Sequence, residues 1–381
     1  MNRDLVLIAA SLFTWGIGES MFYDFRPLYL QSLGADPLVI GGIMGMIGAA
    51  MAFSHLPAGY LADRLGRRPL IIAAWVLGII ATLMMVLAND LWLFSIGAII
   101  YGATFFVSGP LNGYISSARG SLSVGRSLTF ITAFFSLGGV IGPLIGGWLA
   151  DRMGLRSVLF IASLWFVLST VIIFFIHPQP VQQLAKHEQI IALKQVFSPH
   201  YVRFIAIIFL VVLVMYLPQP FSPIFLQNER GVSFSQIGQM ISLGGLGVVF
   251  FNLVLGHIKA RWGFYLAQII MLLFSLLIWQ GQGMLWYLGA YFCMGSFRTA
   301  RSLAAAQGRE FLHEANMGIG FGIMEGLIAI AMIVAPPVAG LLYEHQPLWI
   351  YQLTLVMAML ALIVSFIWLP HNEKEDKLLV S

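Results

Sequence analysis

Charged residues are scarce in this sequence. Only 9% of its 381 residues are Asp, Glu, Lys or Arg, whereas 59% are hydrophobic, and the mean hydropathy is +0.89. Soluble globular chains carry about 25% charged residues, so this composition excludes a water-soluble protein. The net charge of +4 comes without a basic tract, which argues against a nucleic-acid partner. The composition therefore predicts an integral membrane protein.

Several motifs are also missing. Cys293 is the single cysteine, which excludes disulfides and cysteine metal clusters. The motifs G-x-x-x-x-G-K-[ST], H-E-x-x-H and G-x-S-x-G do not occur, which argues against ATP-driven transport and against an intramembrane hydrolase. We therefore expect a protein that is not an enzyme and that holds neither a metal nor a cofactor. The lack of an N-x-[ST] sequon fits a prokaryotic plasma membrane.

Long apolar runs make up most of the chain. A helix that crosses a bilayer needs about 20 apolar residues. The first run exceeds the length of a signal peptide and lacks an A-x-A cleavage site, so we expect it to be retained. The fold class predicted is an all-α membrane protein with twelve transmembrane helices, at residues 5–31, 38–61, 69–88, 91–115, 127–149, 155–176, 201–227, 236–256, 263–281, 284–306, 317–343 and 347–369.

One longer polar segment, residues 177–200, divides the spans six and six, and its prolines and polar residues are typical of a linker. Fourteen of the twenty Lys and Arg residues fall on the side of the two termini, and only three fall in the links of the other side. Because basic residues favour cytoplasmic loops, we expect both termini in the cytoplasm. The predicted organisation is a bundle at 1–176, a cytoplasmic linker at 177–200, a bundle at 201–371 and a cytoplasmic tail at 372–381.

The two halves of the chain resemble each other. The segment RPLYLQ at 26–31 aligns with SPIFLQ at 222–227, and GYLADRLG at 59–66 aligns with GHIKARWG at 256–263. A third pair follows in the same order, GPLIGGWLAD at 142–151 with APPVAGLLYE at 335–344. Three ordered matches indicate an internal duplication, and parallel repeats around a central pathway are typical of transporters.

The stretch G-Y-L-A-D-R-L-G-R-R at 59–68 resembles the signature loop of the major facilitator superfamily. That resemblance implies two pseudo-symmetric six-helix bundles and a cytoplasmic latch in which Asp63 faces the N-terminus of the eleventh span, near Gly318. The alternative is that the arginines only set the topology. The residues implied in the latch are Gly59, Asp63, Arg64, Gly66, Arg67 and Arg68.

A second motif lies in the fifth span, in the sequence GGVIGPLIGG at 138–147. Small residues four apart let helices pack closely, and the pattern resembles one that accompanies proton-exchanging exporters in the superfamily, its drug/proton antiporter-like branch. The alternative is ordinary helix packing. Ala98 stands where drug exporters commonly carry an Arg. The motif residues are Gly138, Gly142, Pro143, Gly146 and Gly147.

Charged residues inside spans are expensive, at about 2.5–3.5 kcal/mol each, and therefore indicate function. An apolar wall favours the neutral form of a carboxylate, which suits proton binding. The alternatives are a fixed Glu19–Arg26 ion pair, a pair of Glu325 with Arg298 or Arg301, a solvated Asp24, and a His55 that serves packing. The proton-coupling candidates are Glu19, Asp24, Glu325 and His55.

Basic and aromatic side chains in the spans are candidates for the substrate cavity. Free arginines would favour an anionic or zwitterionic substrate, whereas arginines neutralised by Glu325 would suit lipophilic cations or neutral compounds. Both possibilities stay open at this point. The candidate cavity residues are Arg26, Arg298, Arg301, Tyr114, Phe134 and Tyr216.

These features predict a monomeric secondary transporter in the inner membrane of a prokaryote. We expect alternating access by rocking of the two halves, with proton-coupled efflux of amphipathic small molecules or lipids, the proton gradient as energy source and membrane lipids as further partners. One alternative is a proton symporter or facilitator that imports a small anionic or sugar-like solute. Another, from a different class, is a non-transporting membrane receptor or scaffold.

Overall fold

The structure is a computed structural model that describes residues 2–179, 198–312 and 317–369. Side chains at 56–60, 63 and 317–319 also lie outside the described part. The predicted latch roles of Gly59 and Asp63, most of the predicted linker and the whole predicted tail therefore fall on residues that the structure does not describe.

The described part of the first 179 residues contains eight α-helices. Several begin at a side chain that caps the first turn: the carboxylates of Asp36 and Asp90 accept hydrogen bonds from the N–H groups of Val39 and Leu93, both at 2.8 Å. The helices are α1 Arg3–Phe22, α2 Arg26–Ser32, α3 Pro37–Leu65, α4 Arg67–Leu87, α5 Leu91–Ala103, α6 Ser108–Ala118, α7 Val124–Met153 and α8 Leu155–Ile173.

Eight further α-helices lie in the described residues after 197. They are α9 Pro199–Tyr216, α10 Ser222–Arg230, α11 Phe234–Gly256, α12 Ala260–Gln280, α13 Met284–Met294, α14 Ser296–Gly308, α15 Met317–His345 and α16 Trp349–Trp368. No strand occurs in the described ranges. Because a bilayer offers no water to backbone groups, helices that satisfy their own hydrogen bonds suit a chain this apolar.

Eleven helical segments of the described chain are long and apolar enough to cross a membrane. The predicted span at 284–306 is present as two helices, α13 and α14, which meet at Gly295. The predicted all-α, twelve-span fold is therefore confirmed. The first predicted span differs in detail, because a 3₁₀ turn at Tyr23–Phe25 separates α1 from α2.

The described helices form two compact units. One comprises α1–α8 together with Pro220–Gly245, and the other comprises α9 together with the chain from Leu246 onwards. This grouping differs from the predicted bundles at Pro220–Gly245, because the start of α11 packs against α7. In the first unit α1 lies against α7 and α8, and in the second unit α9 packs against α15 and α16, while α12 contacts α14.

Glycines bring the backbones of α1 and α7 together. A Cβ atom on Gly138 would lie 2.5 Å from the carbonyl oxygen of Phe13, and one on Gly142 would lie 2.5 Å from that of Ile17. Gly146 faces the carbonyl of Met21 in the same way. Since these contacts recur every four residues on both helices, the glycines fix the register of α1 against α7.

Polar contacts tie the first turn of α1 to the ends of α6 and α8. The Asp4 carboxylate lies 2.9 Å from Nδ1 of His177 and 3.0 Å from the hydroxyl of Tyr114. The Tyr114 hydroxyl also lies 2.6 Å from the carbonyl oxygen of His177. Asp4 and Tyr114 are both buried, so each polar atom depends on the others for its hydrogen bonds.

We expect Gly142→Leu to prevent assembly of the first unit, because a side chain at 142 would overlap the α1 backbone at a cost of about 3 kcal/mol or more. Gly139→Leu is the matched control, since a Cβ at that position on the same helix meets no atom within 4 Å. Size-exclusion profiles in detergent should show aggregation or loss of the first variant and a monodisperse second variant. Normal profiles for both would contradict the packing role of Gly142.

Tyr114→Phe should lower the free energy of unfolding by about 1–3 kcal/mol, since Asp4 would lose a buried donor. Tyr101→Phe provides the comparison, because the buried Tyr101 hydroxyl makes no hydrogen bond of normal geometry with the described residues. Its removal should be neutral or stabilising. Thermal unfolding of the two variants in the same detergent tests this difference, and equal losses would refute it.

Candidate functional site

A pocket of about 240 Å³ lies inside the first unit, between α1, α4, α6 and α7. Its wall is mostly apolar and aromatic, with Thr104, Ser108, Asn112 and Thr132 as the uncharged polar residues. Among the described residues that line it, Glu19 is the one that carries a charge. Pockets that bind small molecules share this composition, an apolar lining with a few polar groups that orient the ligand.

Glu19 lies near the end of α1 with only 8% of its surface exposed. Its carboxylate oxygen Oε2 accepts a hydrogen bond of 3.2 Å from Nε1 of Trp15, one helical turn earlier. The four-residue spacing places both side chains on the same face of α1. The indole therefore holds one oxygen of the carboxylate at the pocket wall.

Trp15 is itself held by aromatic neighbours. Its ring centroid lies 5.0 Å from that of Trp75 and 4.2 Å from that of Phe166. The Trp75 indole donates to the hydroxyls of Ser11 and Ser169, at 3.0 and 2.8 Å. This chain of contacts between α1, α4 and α8 fixes the orientation of Trp15, and through it the position of the Glu19 carboxylate.

The other charged residues predicted in the first span, Asp24 and Arg26, lie within and directly after a 3₁₀ turn that interrupts the helix. This turn, at Tyr23–Phe25, lies between Glu19 and Arg26. Arg26 is buried, its Nε donates to the carbonyl of Tyr23 at 2.8 Å, and its guanidinium lies 3.6 Å above the Tyr23 ring. Asp24 is half-buried within the turn.

His55, Phe134 and Tyr114 are not among the residues that line the pocket. His55 is exposed, with Nδ1 at 3.5 Å from the hydroxyl of Ser108, which lines the pocket. Phe134 packs on Phe130 at 5.0 Å, whereas its neighbour Phe135 lines the pocket. Tyr114 belongs to the Asp4 cluster and does not line the pocket.

In the second unit the structure brings two predicted residues together. Nη2 of Arg301, on α14, lies 2.8 Å from Oε2 of Glu325, on α15. Both side chains are partly exposed, at 31% and 55%. Arg298 is exposed one turn before Arg301, and Tyr216 stacks on Phe297 at 5.7 Å. Of the two pairings left open by the sequence, the structure contains the one between Glu325 and Arg301.

Two arginines of the signature loop bind backbone carbonyl groups of other segments in the first unit. Nη1 of Arg67 donates to the carbonyl of Gly113 at 2.8 Å. Arg68 donates to the carbonyls of Ile176 and Phe174, at 2.7 and 2.9 Å. The two carbonyls bound by Arg68 lie just after the end of α8, where carbonyl groups lack intrahelical donors and carry partial negative charge, so the guanidinium satisfies them. The loop itself turns at Gly66 with a φ of 83°, and Arg64 is exposed.

Asp151 has a role that the sequence reasoning missed. Its two carboxylate oxygens accept hydrogen bonds from the backbone N–H groups of Phe234 and Ser235, at 2.9 and 2.8 Å. These are the first N–H groups of α11, which have no acceptor within the helix. Asp151 therefore caps a helix that lies 83 positions further along the chain.

Metal ligands are not grouped in the described residues: no three His, Cys, Asp or Glu side chains there are placed to hold an ion together. The chemistry that the pocket offers is therefore that of one carboxylate among aromatic faces. Such a site can bind a proton or an organic cation, and its rings can stack on a flat or apolar ligand.

Known proteins resemble this chain in sequence and in fold. Multidrug resistance protein MdtG of Enterobacter lignolyticus is 30% identical over 210 residues, which cover 52% of this chain and 48% of that protein. Tetracycline resistance protein, class H, of Pasteurella multocida is 24% identical over 284 residues, covering 69% of this chain and 68% of the relative. The chain thus spans about half the length of MdtG and about two thirds of the tetracycline protein.

A solved structure of a variant of the nucleoside transporter NupG superposes with a TM-score of 0.85 at 12% identity, and the superposition covers 97% of this chain and all of NupG. That likeness shows the fold. The profile of the Major Facilitator Superfamily matches residues 8–300, which is most of the chain. The chain therefore belongs to the Major Facilitator Superfamily, a family of multi-pass membrane transporters and not of enzymes, as its sequence predicted.

Proposed function

We propose that this transporter exports amphipathic small molecules or lipids in exchange for protons, and that Glu19 is the group where the proton and the substrate compete. The observation that carries the proposal is the position of Glu19, which is the one charged residue among the described residues that line an aromatic pocket inside the first unit. No cofactor takes part, and the proton gradient supplies the energy.

Competition for one carboxylate is sufficient to couple two fluxes. With Glu19 ionised, its carboxylate attracts a cationic or strongly dipolar ligand. With Glu19 protonated, that attraction disappears, because the carboxyl group is neutral. A carrier that changes access with either occupant, but does not bind both at once, exchanges one for the other.

The aromatic lining sets the class of substrate. Trp15, Trp75, Phe105 and Phe135 line the pocket together with aliphatic side chains. Aromatic faces attract cations by about 0.5–2 kcal/mol each and also bury apolar surface, so the pocket favours ligands that are both apolar and positively charged. The names of two relatives, multidrug resistance and tetracycline resistance proteins, support export of such compounds.

The contact between Arg301 and Glu325 also favours this class over an anionic substrate. A guanidinium at 2.8 Å from a carboxylate is largely neutralised, which leaves less positive charge available for a substrate anion. The exposed Arg298 instead favours an anionic substrate, so import of a small anionic or sugar-like solute is the second candidate. Roles of Asp24, His55 and Glu325 in proton coupling stay predictions.

The orientation follows from the distribution of basic residues. Fourteen Lys and Arg residues lie on the side of the termini and three on the other. We place both termini in the cytoplasm of a prokaryotic cell and the transporter in its inner membrane as a monomer, with a small molecule or lipid as its substrate.

In liposomes that contain a pH-sensitive dye, Glu19→Gln should reduce substrate-triggered proton movement at least tenfold, because the amide cannot take up a proton. The panel should hold lipophilic cations, sugars and organic anions, added under an imposed pH gradient. Glu344→Gln makes the same chemical change at the exposed end of α15 and should retain the signal. Proton movement triggered by sugars or anions alone would favour the second candidate, and undiminished coupling in Glu19→Gln would refute the assignment.

Glu325→Gln should leave Arg301 without its carboxylate and lower uptake of a lipophilic cation into inverted vesicles severalfold, while the proton dependence is retained. The double variant Arg301→Gln with Glu325→Gln should restore most of the rate, because it removes both charges together. Rates of labelled cation uptake for the two single variants and the double variant form the test. Additive losses would contradict the neutralising role of Glu325.

A further inference from the structure

The signature loop has a second copy within the first half of the chain. Residues 147–154 read GWLADRMG, and residues 59–66 read GYLADRLG, with six of eight positions identical. The two copies also share their backbone geometry, since α3 ends at Gly66 with φ 83° and ψ 167°, and α7 ends at Gly154 with φ 80° and ψ 164°. The copies therefore form the same turn at the ends of two different helices.

Three spans lie between the two copies, namely α4, the segment α5–α6, and α7. Because an odd number of crossings separates them, the two loops lie on opposite faces of the membrane. The second copy thus places Asp151 at the face opposite Asp63.

Asp151 makes the contact that the family resemblance implies for Asp63. Its carboxylate accepts from the first two N–H groups of α11, at 2.9 and 2.8 Å, where the partial positive charge of the helix is concentrated. The helix that it caps belongs to the second set of six spans, whereas α7 belongs to the first set.

The contact continues along the two helices beyond Asp151. A Cβ on Gly147 would collide with the carbonyl of Phe234, and one on Gly238 would collide with the carbonyl of Pro143. The hydroxyl of Ser242 then donates to the carbonyl of Val140 at 2.7 Å. Residues 140, 143, 147 and 151 of α7 thus meet residues 242, 238, 234 and 235 of α11 in one antiparallel row.

We infer that Asp151 is a positioning residue of the transport cycle: its bond to the start of α11 stabilises the state in which the first and second sets of six spans are in contact at this face. The inference rests on the proposed alternating access, since rocking of the two sets has to separate α7 from α11 once in each cycle.

The chemistry of the contact suits a bond that opens and closes. Asp151 is exposed, so water can replace the N–H donors when the helices part, and the cost of opening stays moderate. The glycines add close packing without side chains that would have to interdigitate again. The row therefore favours the closed arrangement without preventing its opening.

Spin-label distance measurements test the inference. In a Cys293→Ser background, Met153→Cys and Gln239→Cys place labels on exposed positions of α7 and α11 beside the contact. Loss of a charge-assisted hydrogen bond changes an equilibrium by about tenfold, so Asp151→Asn should reduce the ratio of short-distance to long-distance populations by about that factor. Ser242→Ala should reduce it in the same direction and by less.

Asp36→Asn is the matched control, because Asp36 caps its own helix α3 and bridges no two spans. Its distances should equal those of the parent. An unchanged ratio in both Asp151→Asn and Ser242→Ala would overturn the inference, as would an equal shift in Asp36→Asn. Should Asp151→Asn not yield monodisperse protein, Ser242→Ala decides alone.

The populations are measured without substrate or proton gradient, so they report on Asp151 independently of the proposed export. A shifted ratio in a protein that shows no proton-coupled efflux would retain the role of Asp151 and refute the proposed function. Intact efflux with unchanged populations would refute the role of Asp151 and retain the proposed function.

Discussion

The close approach of α1 and α7 is the constraint on which the first unit depends. Gly138, Gly142 and Gly146 leave no space between the two backbones, and the matching residues of α1 are Phe13, Ile17 and Met21. Trp15 and Glu19 lie between these contact points on the same helix. The glycines therefore help to determine where the Glu19 carboxylate is held, and they link a packing motif to the chemistry of the site.

Much of the fold could be predicted from the sequence, because the bilayer requires long apolar helices and each contributes a visible run of residues. The span at 284–306 shows the limit, since Arg298 and Arg301 lower its hydropathy and the helix changes at Gly295. A pair of Glu325 with Arg298 or Arg301 was one alternative from the sequence, but the choice of Arg301 depends on how α14 and α15 are rotated against each other, which a single sequence does not encode visibly.

The candidate site was harder to predict than the fold. A seven-residue spacing on one helix was the basis for a pair of Glu19 and Arg26, and the 3₁₀ turn at Tyr23–Phe25 that lies between them was not visible in the sequence. Tyr114 has the aromatic character of a cavity residue, yet its hydroxyl is used in the buried cluster of Asp4. The sequence L-A-D-R occurs twice, at 61–64 and at 149–152, and this repeat could have drawn attention to Asp151. Only the structure shows that its carboxylate accepts from the first N–H groups of α11.

The way in which Arg67 and Arg68 are bound affects how the protein responds to ionic strength. Both guanidinium groups donate to backbone carbonyls of other segments of this unit, at 2.7–2.9 Å. Mobile ions screen the attraction between exposed net charges over roughly 8 Å at physiological salt, but short hydrogen bonds to fixed dipoles are much less sensitive. This end of the first unit is therefore built to keep its shape when the salt concentration of the surrounding solution changes.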